Sequence, residues 1–146
     1  MSDAEVLELL EFERTVICAT IGRDGWPHLM PLWYVLRDGE LWAWTYVASQ
    51  KVRNLERDAR ATLQVETGTT YEQLRGVMIK ADVQLHRDTE IVAELGLQIM
   101  TRYQQEPDRA GEIAATVAKQ APKRVALRFV ERSRASWDHR KLATAQ

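Results

Sequence analysis

Asp-Gly occurs twice early in the chain, at Asp24-Gly25 and Asp38-Gly39, each time between runs that alternate like strands: "TVICATIG", then "WPHLMPLWYVL", then "ELWAWTYVA". Asp-Gly suits the positive φ angles of a tight hairpin, so the first third reads as an antiparallel β-meander. A parallel sheet would instead need long crossovers at these places. Pro27 and Pro31 fall within the second run. Proline donates no ladder hydrogen bond, which predicts an irregular strand there with some backbone facing open space.

Ser2 with Glu5 forms a capping-box pattern ahead of Val6, Leu9 and Leu10, which predicts a short opening helix. A cationic helix, "SQKVRNLERDAR", follows the meander. Strands "RATLQVET" and "GVMIKADVQLHRD" come next, separated by the polar loop "GTTYEQLR". Between Thr89 and Ala121 the apolar period changes to four, through Ile91, Leu95, Ile99 and Tyr103 and then Ile113 and Val117. This predicts a helical hairpin inserted between strands as a lid or barrel cover. Val125, Leu127 and Phe129 restore the alternation in "KRVALRFVE", and a polar tail "SWDHRKLATAQ" closes the chain. The expectation is a mainly β (α+β) fold, a six-stranded antiparallel barrel with peripheral helices, as one domain over residues 1–146.

The formal net charge of -1 argues against nucleic-acid binding, which usually needs a basic excess. No apolar run approaches a membrane span, and the acidic N-terminal stretch lacks the pattern of a secretory signal. Cys18 is the only cysteine; it lies in an apolar run and reads as a core thiol in a cytoplasmic protein.

Lys51 and Arg53 fall in the first turn of the cationic helix, where the backbone dipole favours acids. Each costs about 0.3–1 kcal/mol there, and a docked phosphate would reverse the sign of those terms. Ser49 is placed to cap the helix with its hydroxyl, and Val52, Leu55 and Ala59 share its buried face, leaving Lys51, Arg53 and Asn54 to point elsewhere. One reading completes the turn with an anion; the other lets both cations extend into solvent or pair with Glu56 and Asp58. On the preceding strand Trp42, Trp44 and Tyr46 share one face and Leu41, Ala43, Thr45 and Val47 the other, so both faces are covered. Core and dimer interface account for such rings, and so does a wall for a planar phosphorylated heterocycle.

The order "ATIGRDGWPHLMPLWYVLRDGELWAWT", then "SQKVRNLERDARATLQVE", resembles the flavin and deazaflavin oxidoreductases of the split β-barrel fold, relatives of pyridoxamine 5'-phosphate oxidase. Within them "KVRNLERDARATL" is most similar to the actinobacterial branch that uses the deazaflavin coenzyme F420. The resemblance implies a homodimer with one cofactor in each of two grooves between the barrels. It implies that Ser49, Gln50, Lys51, Arg53 and Asn54 hold the cofactor phosphate, and that the ring lies over Met30, Pro31, Leu32, Trp33, Trp44 and Thr45. Tyr71 and Trp137 would approach from the partner subunit. The strand "LWAWTYV" and the tail "SWDHRKL" lack the further basic and substrate-binding residues of the true pyridoxamine phosphate oxidases, so that activity is not expected. Lys51, Arg53, Arg57 and Arg60, with Lys123 and Arg124, read as cations spread along a groove, which suits the phosphodiester and oligoglutamate of F420 better than the compact monoester of FMN, the alternative cofactor. A small unsaturated organic molecule is the expected substrate. Tyr71, Lys80 and His28 are candidate proton donors, without an assigned catalytic residue; Lys80 also reads as an outward strand position and His28 as a barrel-rim residue.

No metal site is expected, because His28, His86 and His139 lack the close spacing of a helical zinc motif. Neither a Gly-x-Ser-x-Gly stretch nor a phosphate-loop glycine pattern occurs. A non-catalytic carrier of a tetrapyrrole or deazaflavin is the competing class, and an empty dimeric scaffold the last.

Overall fold

The computed structural model describes residues 1–106 and 109–142. Among these residues the α-helices and strands follow in the order α1 (Asp3–Phe12), β1 (Val16–Ile21), β2 (Pro27–Leu32), β3 (Val35–Arg37), β4 (Glu40–Tyr46), α2 (Gln50–Arg57), β5 (Arg60–Thr67), β6 (Arg75–His86), α3 (Thr89–Tyr103), α4 (Ala110–Gln120) and β7 (Arg124–Asp138). All seven strands join one antiparallel sheet in the order β2-β1-β5-β6-β7-β4-β3. Asp38, Gly39 and Gly25 take positive φ, as the two hairpin turns require.

Three expectations change. Among the described residues there are seven strands rather than six, because the second run breaks after Leu32; its first part pairs with β1 and its second, across the turn at Asp38-Gly39, with β4. The meander is therefore not continuous: β2 and β3 lie at opposite edges of the sheet, and residues Trp33 and Tyr34 carry the chain between them. The reason is the anchor at Tyr34. Its ring is fully buried, and its hydroxyl donates toward the carbonyls of Leu10 (2.6 Å) and Glu13 (2.9 Å) at the end of α1, which draws the chain away from the β2 ladder. Finally, the polar tail is strand as far as Asp138, held by its ladder to β6, with a bulge near Lys80.

Two apolar clusters occupy the two faces of the curled sheet. The inner one joins Val6, Leu9 and Leu10 of α1 to Val16, Leu41, Ala43, Leu63, Val77, Leu127 and Phe129. Residues of β1 and β4, strands near opposite edges, share this one cluster, so the sheet curls toward a barrel. The outer cluster lies under the helical hairpin: Val92, Leu95 and Ile99 of α3 and Ile113 and Val117 of α4 cover Trp44, Val35 and Ala126. Gly96 makes that contact close, since a Cβ there would sit 2.3 Å from Cζ3 of Trp44. The hairpin is thus a cover, as its periodicity predicts. Among the described residues no helix is long and apolar enough to cross a membrane.

Candidate functional site

The turn after β4 brings the first residues of α2 back against that strand, with the Ser49 amide donating to the Tyr46 carbonyl at 3.0 Å. Val52 and Leu55 enter the inner core as expected. Of the two readings of Lys51, extension into solvent does not hold: the residue is only 7% exposed. Its Nζ donates to Oγ1 of Thr45 at 3.1 Å. Among the described residues no carboxylate lies within ion-pair reach of it, since Glu56 pairs with Arg87 (3.3 Å) and Asp58 with Arg60 (2.7 Å). Burial pushes the Lys51 pKa below its ordinary value, the nearby Cys18 opposes that and the Arg124 charge adds to it. Cys18 is a core thiol pushed up to about 12, chiefly by burial.

Ser49 has the extended backbone of a cap residue, but its hydroxyl accepts no hydrogen bond from the helix amides. It lies 3.5 Å from Thr45 Oγ1 instead. The first-turn amides therefore have no side-chain acceptor, the condition that makes a helix start attractive to an anion. Arg53 is exposed on the same turn. Asn54 has a different place from the one expected. It is wholly buried, with Nδ2 donating to Thr20 Oγ1 (3.0 Å) and Oδ1 accepting from Gln50 Nε2 (2.9 Å) and Arg57 (2.8 Å). It braces α2 to β1, while Lys51 ties the same helix to β4. One helix start thus bridges strands from opposite sides of the sheet.

Of the other cations expected along the groove, Arg57 folds back onto the Arg53 and Ile21 carbonyls and Arg60 grips Asp58, whose pKa it holds down to about 2. Arg124 stays beside the site, over the rings of Tyr46 (4.0 Å) and Trp44 (4.5 Å).

Residues expected around the ring divide. Met30 and Trp33 are half exposed on the free edge of β2 and after it, with Leu32 beside them packing on the inner core. Pro31 pairs with Ile17, one position out of phase with Met30, and so faces the other side of the strand. Thr45 is buried with Lys51. Trp44 belongs to the outer core instead, 8% exposed beneath α3, so within one chain its ring is packed by protein. Tyr71 lies exposed with its ring 4.5 Å from that of His139, and Trp137 covers Gly76. Gly76 is five residues along β6 from Ala81, which shares a row with Ala61 and Thr20. That is about 17 Å of strand, so a single chain does not bring Tyr71 or Trp137 to α2.

The family model described as pyridoxamine 5'-phosphate oxidase matches residues 2–133. The chain belongs to the pyridoxamine 5'-phosphate oxidase family. A conserved hypothetical protein of Mycobacterium tuberculosis is 40% identical in a solved structure, with a TM-score of 0.89 over 98% of this chain and 88% of that one. An F420 reductase (19% identity, TM-score 0.67, 88% and 94% covered) and a haem storage protein of Vibrio cholerae (16%, 0.70, 92% and 92%) share the fold. Among curated proteins, none matches.

For a member of this family the groups at α2 fit a phosphorylated ligand: a near-buried ammonium with one neutral acceptor, uncapped amides and an exposed Arg53. His28 adds an Nδ1 that is shielded yet has no hydrogen-bond partner. It lines a cavity of about 400 Å³ with Gln50, Asn54 and Trp26. Lys80, the other strand candidate for proton delivery, faces outward on β6 beside Thr62 and Arg132. Reading the sequence missed the set around Tyr34: Arg102 donates to the Tyr34 carbonyl (2.6 Å), and Tyr103 stacks on Trp33. The available signal was the broken alternation at Trp33-Tyr34.

Proposed function

We propose that this protein is a cytoplasmic, homodimeric F420-dependent oxidoreductase that transfers a hydride between the deazaflavin and a small unsaturated organic acceptor. The observation that carries the reading is Lys51, a cation held out of water with a single hydroxyl for company. Burying an unpaired charge is costly, and an anionic partner offsets the cost. Lys51, Arg53 and the amides of Gln50 to Val52 would hold the phosphate, with the Ser49 hydroxyl, which accepts from Thr45 Oγ1, beside them as a further donor. Met30, Leu32 and Trp33 would border the ring. The deazaflavin, when bound, supplies the two-electron chemistry. Exposed Trp26 and Leu29, with Pro27 and Pro31 on the outward side of β2, support a second copy as the partner that brings Tyr71 and Trp137 to the groove.

FMN is the second reading, favoured by one observation: with Arg57 and Arg60 already engaged, the free cations form a compact group rather than a long track. Side-by-side titration with F420 and FMN at two salt concentrations separates them. Tighter F420 binding that weakens with salt supports the first reading; tighter FMN binding replaces it with the second. Tight binding without turnover of any acceptor would make the protein a carrier.

A further inference from the structure

The linker Trp33-Tyr34 has no strand partner of its own, and the last turn of α3 supplies what a strand would. The Tyr34 amide donates to Tyr103 Oη at 3.0 Å, and its carbonyl accepts from Arg102 at 2.6 Å. The Tyr103 hydroxyl in turn donates to the Arg14 carbonyl at 2.6 Å, so its oxygen is held between two backbone groups. The phenol face lies against the indole of Trp33, with centroids 4.5 Å apart and planes 10° from parallel. Trp33 is nevertheless 51% exposed, so one side of it is held by the insert and the rest faces outward. An exposed indole without such a support would sample several rotamers.

We propose that Tyr103 is a positioning residue: the helical insert sets the orientation of Trp33, and through it the shape of the ring wall of the cofactor groove. This rests on the functional reading above, since it needs a ligand beside Trp33. It gives the end of α3 a second purpose, because Tyr103, which also packs at the margin of the outer cluster, carries the stack on Trp33 as well.

The test uses the full-length protein, with F420 as the probe. Tyr103→Leu removes the stack, Tyr103→Phe keeps it, and Trp33→Leu removes the indole without touching the bonds to Tyr34. Tyr103→Leu and Trp33→Leu should each weaken F420 binding about fivefold, with Tyr103→Phe close to wild type. The double variant Trp33→Leu/Tyr103→Leu should be no weaker than either single one, because both delete the same interaction. Tryptophan emission should shift in Tyr103→Leu, and the same substitution should leave it unchanged once Trp33 is already Leu. Equal affinity of Tyr103→Leu and wild type, additive losses in the double variant, or an emission shift that persists without Trp33 would each overturn the proposal. Should Tyr103→Leu fail to fold, a wild-type affinity in Trp33→Leu overturns it as well. Wild-type protein that binds neither F420 nor FMN would fail the functional reading first, and the emission experiment would still decide whether Tyr103 orients Trp33.

Discussion

Two cations in this molecule meet opposite surroundings. Arg102 reaches four carbonyl oxygens, of Tyr34, Leu10, Glu11 and Glu13, at 2.6–3.0 Å, and lies over the ring of Tyr34 at 4.5 Å. It closes the C-terminal end of α1, where the helix presents unpaired carbonyls and partial negative charge. Lys51 is more deeply buried, stands at the positive end of α2 and has one neutral hydroxyl. The first arrangement satisfies its charge within the folded chain. The second leaves a buried ammonium with one neutral partner, and the difference separates a residue that holds the fold from the one to which the proposed function gives a ligand.

The comparison breaks most visibly at Arg102. Arg102→Ala should cost about 3 kcal/mol in urea unfolding, because several charge-assisted bonds go at once. A loss below about 1 kcal/mol would mean that water replaces them and the contrast with Lys51 is false.

At Lys51 the signs should oppose one another. Lys51→Met should weaken cofactor binding by about 2 kcal/mol, roughly thirtyfold, while the empty protein melts no lower than wild type. The pH dependence follows from the same burial. The folded-state pKa of Lys51 lies below its unfolded value of 10.5, so the charged form opposes folding, and apo stability should climb as pH rises toward 10.5. Saturating cofactor should flatten that climb. A flat apo profile would argue that Lys51 is well solvated.

Gly96→Ala tests whether the hairpin side is as closed as it looks. The new methyl meets the buried indole of Trp44, and a loss of about 2 kcal/mol is expected by thermal unfolding.

Asp138 gives the smallest effect and sharpens the contrast from the acid side. Its buried carboxylate is paired, held by Arg140 (2.7 Å) with its pKa down to about 2. Its folded pKa is depressed, so its stabilisation is present above pH about 4 and fades as pH falls toward 2. With Arg140 half exposed, the contribution is about 1 kcal/mol, and Asp138→Asn should remove that part of the acid limb.

Local patterns were readable in the chain alone. Asp-Gly at both hairpins, strand alternation in β1, β5 and β6, the capping box of α1 and the fourfold period of α3 depend on neighbours a few residues away, and each appears where the pattern puts it. The charge at Lys51 and Arg53 was readable for the same reason. What only the tertiary structure decided is where chains distant in sequence meet. The break at Trp33-Tyr34 follows from carbonyls of α1, and the burial of Asn54 from Thr20 across the sheet. Trp44 became core because α3 settles on it, and Lys51 became buried because curling of the sheet brings β1 and β4 to one helix. Periodicity says which face of an element is apolar; only packing says what covers that face, and therefore which polar groups are left without partners.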